Sequence, residues 1–152
     1  MTRARHLSKH LERTMTAPMW HGQALAEVLD GVSAERAAAR PIAGAHTIWE
    51  IVLHVSAWAD IARARLKGQS TGDPTPAQDW PPVAATDPDA WQPALKQLDT
   101  SHRLLAADAR ELDETKLEAL VPGLDYSVAV LLHGIVEHGT YHGGQIALLK
   151  KT

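Results

Sequence analysis

From Gly68 to Pro88 the chain reads GQSTGDPTPAQDWPPVAATDP, a stretch with no hydrophobic period of any kind. Connections inside a compact domain usually take about 4–6 residues, so a link this long needs a structural reason. The flanking stretches supply one. Before it, Thr47-Ile48-Trp49-Glu50 matches the capping-box pattern, in which Thr and Glu side chains satisfy free backbone N–H groups at a helix start. A strong helix is expected from there to about Lys67, with Gly68 as its stop. After the link, Leu95, Leu98, Leu104 and Leu105 form a core stripe of a helix expected from about Asp89 to Leu112. An aperiodic segment between two long helices is what a crossover along a bundle looks like, joining two parallel neighbours.

The rest of the chain fits around that crossover. A short amphipathic helix is expected over about 3–15, with Leu7 and Leu11 on one face and a stop near Pro18. Met19 to Gly31 carries Leu25, Val28 and Leu29 at helical spacing and reads as the first main helix. A short helical piece follows, then a loop around Pro41 and Gly44. The last helix is expected from about Ser127 to Lys150, with lysines in the final turn where the helix dipole favours them. There is no period-2 strand, no repeat and no second domain. The expected fold is all-α: one domain over residues 1–152, a four-helix bundle running up-down-down-up, with the long crossover between helices two and three.

Composition narrows the function. A net charge of −3 gives no field that would draw the chain to nucleic acid or an anionic membrane. No apolar run approaches the ~20 residues of a membrane span, and the basic N-terminus lacks the apolar region of a secretory signal. The chain contains no cysteine, which fits a reducing compartment, and the expectation is a soluble, cytoplasmic protein. The same absence removes thiolate ligands and cysteine nucleophiles. A metal site here has to be built from imidazole and carboxylate, and the chain holds nine histidines against no phenylalanine.

His138 and His142 are four apart in the last helix, which puts both rings on one face, one turn apart, where they can reach one ion. Gln145 shares that face. Gly134, Gly143 and Gly144 nearby each cost about 1 kcal/mol relative to alanine inside a helix, so their density suggests a close approach to the backbone. The spacing alone is more often a coincidence than a ligand pair, and it is not the zinc-protease motif, because Gly139 stands where that motif has its glutamate. His54 lies among Val52, Leu53 and Val55 in the second main helix, either as a hydrogen-bonded core residue or as a third ligand. Bundles build metal sites from side chains on facing helices, and three histidines would leave open positions for water or substrate. Around them, Glu50 is a candidate base or supporting group, although the capping box explains it equally well. His21 and Trp58 are candidate cavity-lining residues, and Tyr141 reads as packing.

At these residues the chain resembles the DinB-like superfamily. The resemblance runs through Trp20-His21-Gly22, HTIWEIVLHVSAW and the terminal HGIVEHGTYHGGQIALLKK, where two histidines four apart precede Gly144-Gln145-Ile146. It implies a four-helix bundle with a long crossover and a divalent metal, zinc or nickel, held by His54, His138 and His142, with Gln145 in the same signature but not a usual ligand. Family members include transferases and isomerases that use low-molecular-weight thiols such as bacillithiol, mycothiol and glutathione, and others grouped as metal-dependent hydrolases. The leading expectation is therefore a metal-dependent S-transferase acting on a small molecule with a low-molecular-weight thiol. The alternatives are a hydrolase using metal-bound water, with Glu50 or Gln145 orienting it, and a non-catalytic, metal-stabilised bundle. A homodimer is expected on family grounds alone.

Overall fold

A computed structural model describes residues 1–152. The chain forms eight helices and no strand: α1 (Arg3–Thr16), α2 (Leu25–Leu29), α3 (Ala34–Ala38), α4 (Ile48–Leu66), α5 (Pro76–Asp79), α6 (Pro88–Arg110), α7 (Glu114–Glu118) and α8 (Val128–Leu149). The fold is all-α. No helix is long and apolar enough to cross a membrane.

Local chemistry sets the helix starts. Thr2, Ser33, Thr47, Thr75, Asp87, Asp113 and Ser127 each accept a backbone N–H through the side chain, which satisfies one of the free donors at each start. At α4 the expected capping box is complete, with Thr47 and Glu50 bonded reciprocally. Gly68, at φ +67°, ends that region in the left-handed conformation that glycine tolerates best.

Two expectations are corrected. The first long helix is α1, at 14 residues, and Met19–Gly31 is not a main helix. Only the five residues of α2 are helical there, because Met19 and Gly22 close a tight bridge with Gly22 at φ 132°, outside helical space. The segment from Gly68 to Pro88 is also not featureless. Thr75-Pro76-Ala77-Gln78 carries a capping box of its own and opens the single turn α5.

The four long helices pack as neighbours in the pairs α4–α6, α1–α6, α4–α8 and α1–α8. Their apolar faces form two clusters. One gathers Leu25, Ile48, Trp49, Ile51, Val52, Val55, Trp91, Leu98, Ile146 and Leu149; the other gathers Leu7, Leu11, Ala59, Ala62, Leu105, Ala109, Leu132 and Ile135. Between the two, each long helix contributes a buried polar residue: Thr14 from α1, Ser56 from α4, Ser101 and His102 from α6, and His142 from α8. Buried polar groups are costly unless they are bonded or functional. This polar layer marks the level at which the site is built.

Candidate metal centre

His54 sits in the N-terminal half of α4, where the capping box fixes the helix start two turns earlier. His138 and His142 lie one turn apart on α8, as the four-residue spacing requires. Because α4 and α8 are packed neighbours, the three rings meet. Ring centroids are 4.5 Å apart for His138 and His142, and 4.8 Å for each of these with His54. One nitrogen from each ring falls within 4.8 Å of the other two, and Nε2 of His54 is 2.9 Å from Nε2 of His138.

The outer nitrogens of His54 and His142 are already committed. His54 Nδ1 lies 2.6 Å from the Asp79 carbonyl oxygen, which can only accept, so Nδ1 carries the proton and Nε2 presents a lone pair. His142 Nδ1 likewise donates to Gln145 Oε1 at 2.6 Å, while the Gln145 amide nitrogen donates to the Tyr141 hydroxyl. Oxygen partners of this kind fix tautomer and ring orientation at metal-binding histidines.

Burial disfavours the protonated form of all three rings. It pushes His138 down to about 3, with the neighbouring His142 and His54 adding to the effect. His54 and His142 are also lowered, chiefly by burial, against weaker opposing bonds from Asp79 and Gln145. At neutral pH the cluster offers unprotonated imidazole nitrogens, the form that binds a divalent ion. This donor set fits one.

The histidines form one wall of a cavity of about 450 Å³ whose other walls are mostly apolar or aromatic: Trp58, Tyr126, Val130, Leu131, Ile135 and Tyr141. The crossover closes the site from one side. Trp80 stacks on His54, with centroids 3.7 Å apart and planes within 4°, and it also stacks on His46. Asp79 places a carboxylate at the cavity wall, where Oδ1 accepts the Trp58 indole N–H at 2.7 Å and lies 3.3 Å from His54 Nδ1.

The remaining candidates divide. Trp58 lines the cavity, and Gln145 supports His142. Glu50 does neither, because its carboxylate accepts from the Thr47 N–H and from Arg40, both at 2.7 Å, and lies 3.3 Å from His46. Burial pushes the Glu50 carboxyl up, but those donors outweigh it and hold it below the ordinary value, so Glu50 caps α4 and is poorly suited as a base. His21 is exposed in the turn before α2 and does not line the cavity. Tyr141 is 64% exposed and stands at the cavity wall instead of packing inside. Of the glycines expected to be closely approached, Gly134 and Gly144 have nothing within 4 Å and Gly143 meets only Leu25 at 3.6 Å; the tight approach is at Gly139, where a Cβ would lie 2.6 Å from Thr14 Cγ2.

Asp79, Trp80 and Tyr126 went unmarked in the sequence. The capping box Thr75–Gln78 was the available signal, since it predicts an ordered turn ending at Asp79. No curated protein and no solved structure matches this chain. The DinB superfamily profile matches residues 17–146, a span that contains all three histidines, Asp79 and Gln145. The chain belongs to the DinB superfamily.

Proposed function

We propose that the chain is a divalent-metal enzyme that joins an intact low-molecular-weight thiol, through its sulfur and with loss of the thiol proton, to a small, largely apolar electrophile. The observation that carries this reading is the convergence of three neutral imidazole nitrogens on one wall of an apolar cavity, in a chain with no cysteine of its own. His54, His138 and His142 would hold the ion, and zinc or nickel suits such nitrogen donors. When bound, the ion supplies Lewis-acid chemistry that lowers the pKa of a thiol or water beside it.

The protein's own groups do the remaining work. The Asp79 carbonyl and Gln145 hold the ligand tautomers, and Trp80 covers one face of His54. Trp58, Val130, Leu131 and Ile135 give a substrate an apolar wall that excludes water. Hydrolysis is the second reading, and Asp79 favours it by bringing to the cavity the carboxylate that Glu50 does not. A purely structural metal site is disfavoured, because the histidine wall faces open cavity instead of packed side chains.

Residue pairs support an up-down-down-up bundle. Trp49 with Trp91, Ser56 with Ser101 and Arg63 with Asp108 advance together along α4 and α6. His54 with His138 on α8, and Arg65 with Tyr126 just before α8, run in opposite senses.

The test uses untagged protein loaded with zinc or nickel, a panel of small thiols and a chromogenic electrophile. Turnover that requires both metal and thiol, and that His138→Ala abolishes, supports the transferase. Ester hydrolysis indifferent to thiol and lost in Asp79→Asn would replace it with the hydrolase. Metal binding that only raises stability would leave a structural site.

A further inference from the structure

Arg65, in the last turn of α4, is 3% exposed and has no carboxylate partner. Nη1 donates to the Tyr126 hydroxyl at 2.7 Å and Nη2 to the Gly72 carbonyl at 2.8 Å, while Nε is buried without a partner. The guanidinium carbon lies 5.4 Å from the Trp58 ring centroid. A guanidinium does not give up its proton in proteins, and a buried charge normally has an opposite charge beside it. This one has two neutral oxygens and an aromatic face. Both of its aromatic neighbours, Tyr126 and Trp58, line the cavity beside the histidines.

Tyr126 turns that uncompensated charge into something a ligand can use. Its oxygen accepts from Arg65 and its own proton finds no acceptor in the protein, so the hydroxyl is an unspent donor polarised by the cation behind it. No lysine or arginine lines the cavity, its only carboxylate is Asp79, already bonded to the Trp58 indole, and the lining residues that follow Tyr126 in the chain, Val130 and Leu131, are apolar. Tyr126 stands just before α8, and His138 follows about three turns along that helix.

We propose that Tyr126, backed by Arg65, anchors an oxyanion of the substrate, a carboxylate in the simplest case. The preferred ligand is then an elongated apolar molecule whose anionic end sits at Tyr126 and whose reacting end lies at the three histidines. This rests on reading the cavity as the substrate's, and it adds the substrate class.

Calorimetric titration of the full chain with 4-phenylbutanoate and with the isosteric 4-phenylbutanamide tests the anchor, in metal-free and metal-loaded protein. The carboxylate is expected to bind metal-free wild type at least about tenfold more tightly than the amide, the scale of one hydrogen bond to a charged group. Tyr126→Phe, which keeps the ring, is expected to abolish that preference. Should the variant fold poorly, the Arg65 Nε–H resonance of wild type serves instead, and it is expected to shift on adding the carboxylate but not the amide. Equal affinities, a preference retained in Tyr126→Phe, or an unmoved Arg65 resonance would overturn the anchor. A preference seen only with metal bound would place the carboxylate on the ion and overturn the anchor while leaving the metal reading intact. Failure of the metal reading registers separately, as absent metal uptake with the carboxylate preference still present.

Discussion

His142 and His54 owe their usefulness as ligands to what holds their outer nitrogens. Gln145 Oε1 accepts a hydrogen bond from His142 Nδ1–H, so Gln145→Leu, which keeps the bulk and removes the acceptor, is expected to weaken metal binding about tenfold. Competition with a chromogenic chelator measures this, and unchanged affinity would mean that the bond has no part in orienting the ring. Glu50→Ala makes the complementary case. It removes half of a capping box and no cavity group, so it should leave metal affinity alone and lower stability by about 1 kcal/mol in urea denaturation. The three histidines were legible because helical spacing ties position to face. Their convergence was legible only through the family resemblance, since nothing in a four-residue repeat says which helix lies opposite. Asp79 and Trp80 were hidden for a different reason. In an aperiodic segment a residue's number carries no information about its direction, and only the short capping box betrayed an ordered turn.

At the level of elements, α1 and α8 approach closely where Gly139 faces Thr14. A methyl group there would meet Thr14 Cγ2 at 2.6 Å, and Thr14 is itself buried and branched at Cβ. Gly139→Ala gains about 1 kcal/mol of helix propensity but forces an overpacked contact of about 1–3 kcal/mol, and net destabilisation is expected. Removing the obstructing methyl by Thr14→Ser in the same chain should recover most of the loss. At Gly144 no atom lies within 4 Å of the added carbon, so Gly144→Ala should stabilise by up to about 1 kcal/mol. Equilibrium denaturation of the three variants checks all of this, and equal effects at the two glycines would refute the packing argument. The sequence marked the glycines but could not tell an approached position from an open one, because that distinction belongs to the partner helix. The same limit explains α1 and α2. Leu25, Val28 and Leu29 have helical spacing, but one turn of period does not make a long helix when Gly22 breaks the backbone just ahead of it.

Across the whole molecule, the polar layer makes stability depend on pH. His102 is buried, with Nδ1 donating to the Leu98 carbonyl and Nε2 unpartnered, and burial lowers its pKa. His54, His138 and His142 are lowered for the same first reason, and His138 reaches about 3. In the unfolded chain these rings return to the ordinary value of about 6.5. Above that pH both states are neutral and the folded form keeps its full advantage. As pH falls below it, the unfolded chain takes up protons that the folded chain does not, so stability declines, and for His138 the decline continues toward about 3. Each fully buried histidine contributes at most about 1.4 kcal/mol per pH unit in that window. Metal-free protein should therefore lose urea resistance between pH 7.5 and 5.5, and His102→Leu should lessen the slope without removing it. A bound divalent ion adds stability in proportion to the logarithm of its concentration above Kd. Protons compete for the same nitrogens, so that increment should be largest at pH 7.5 and shrink toward 5.5. Denaturation curves at both pH values, with zinc and with chelator, separate the two effects. A metal-free protein whose midpoint is flat across this range would mean that the folded histidines accept protons freely, and the buried neutral cluster on which the metal centre depends would have to be given up.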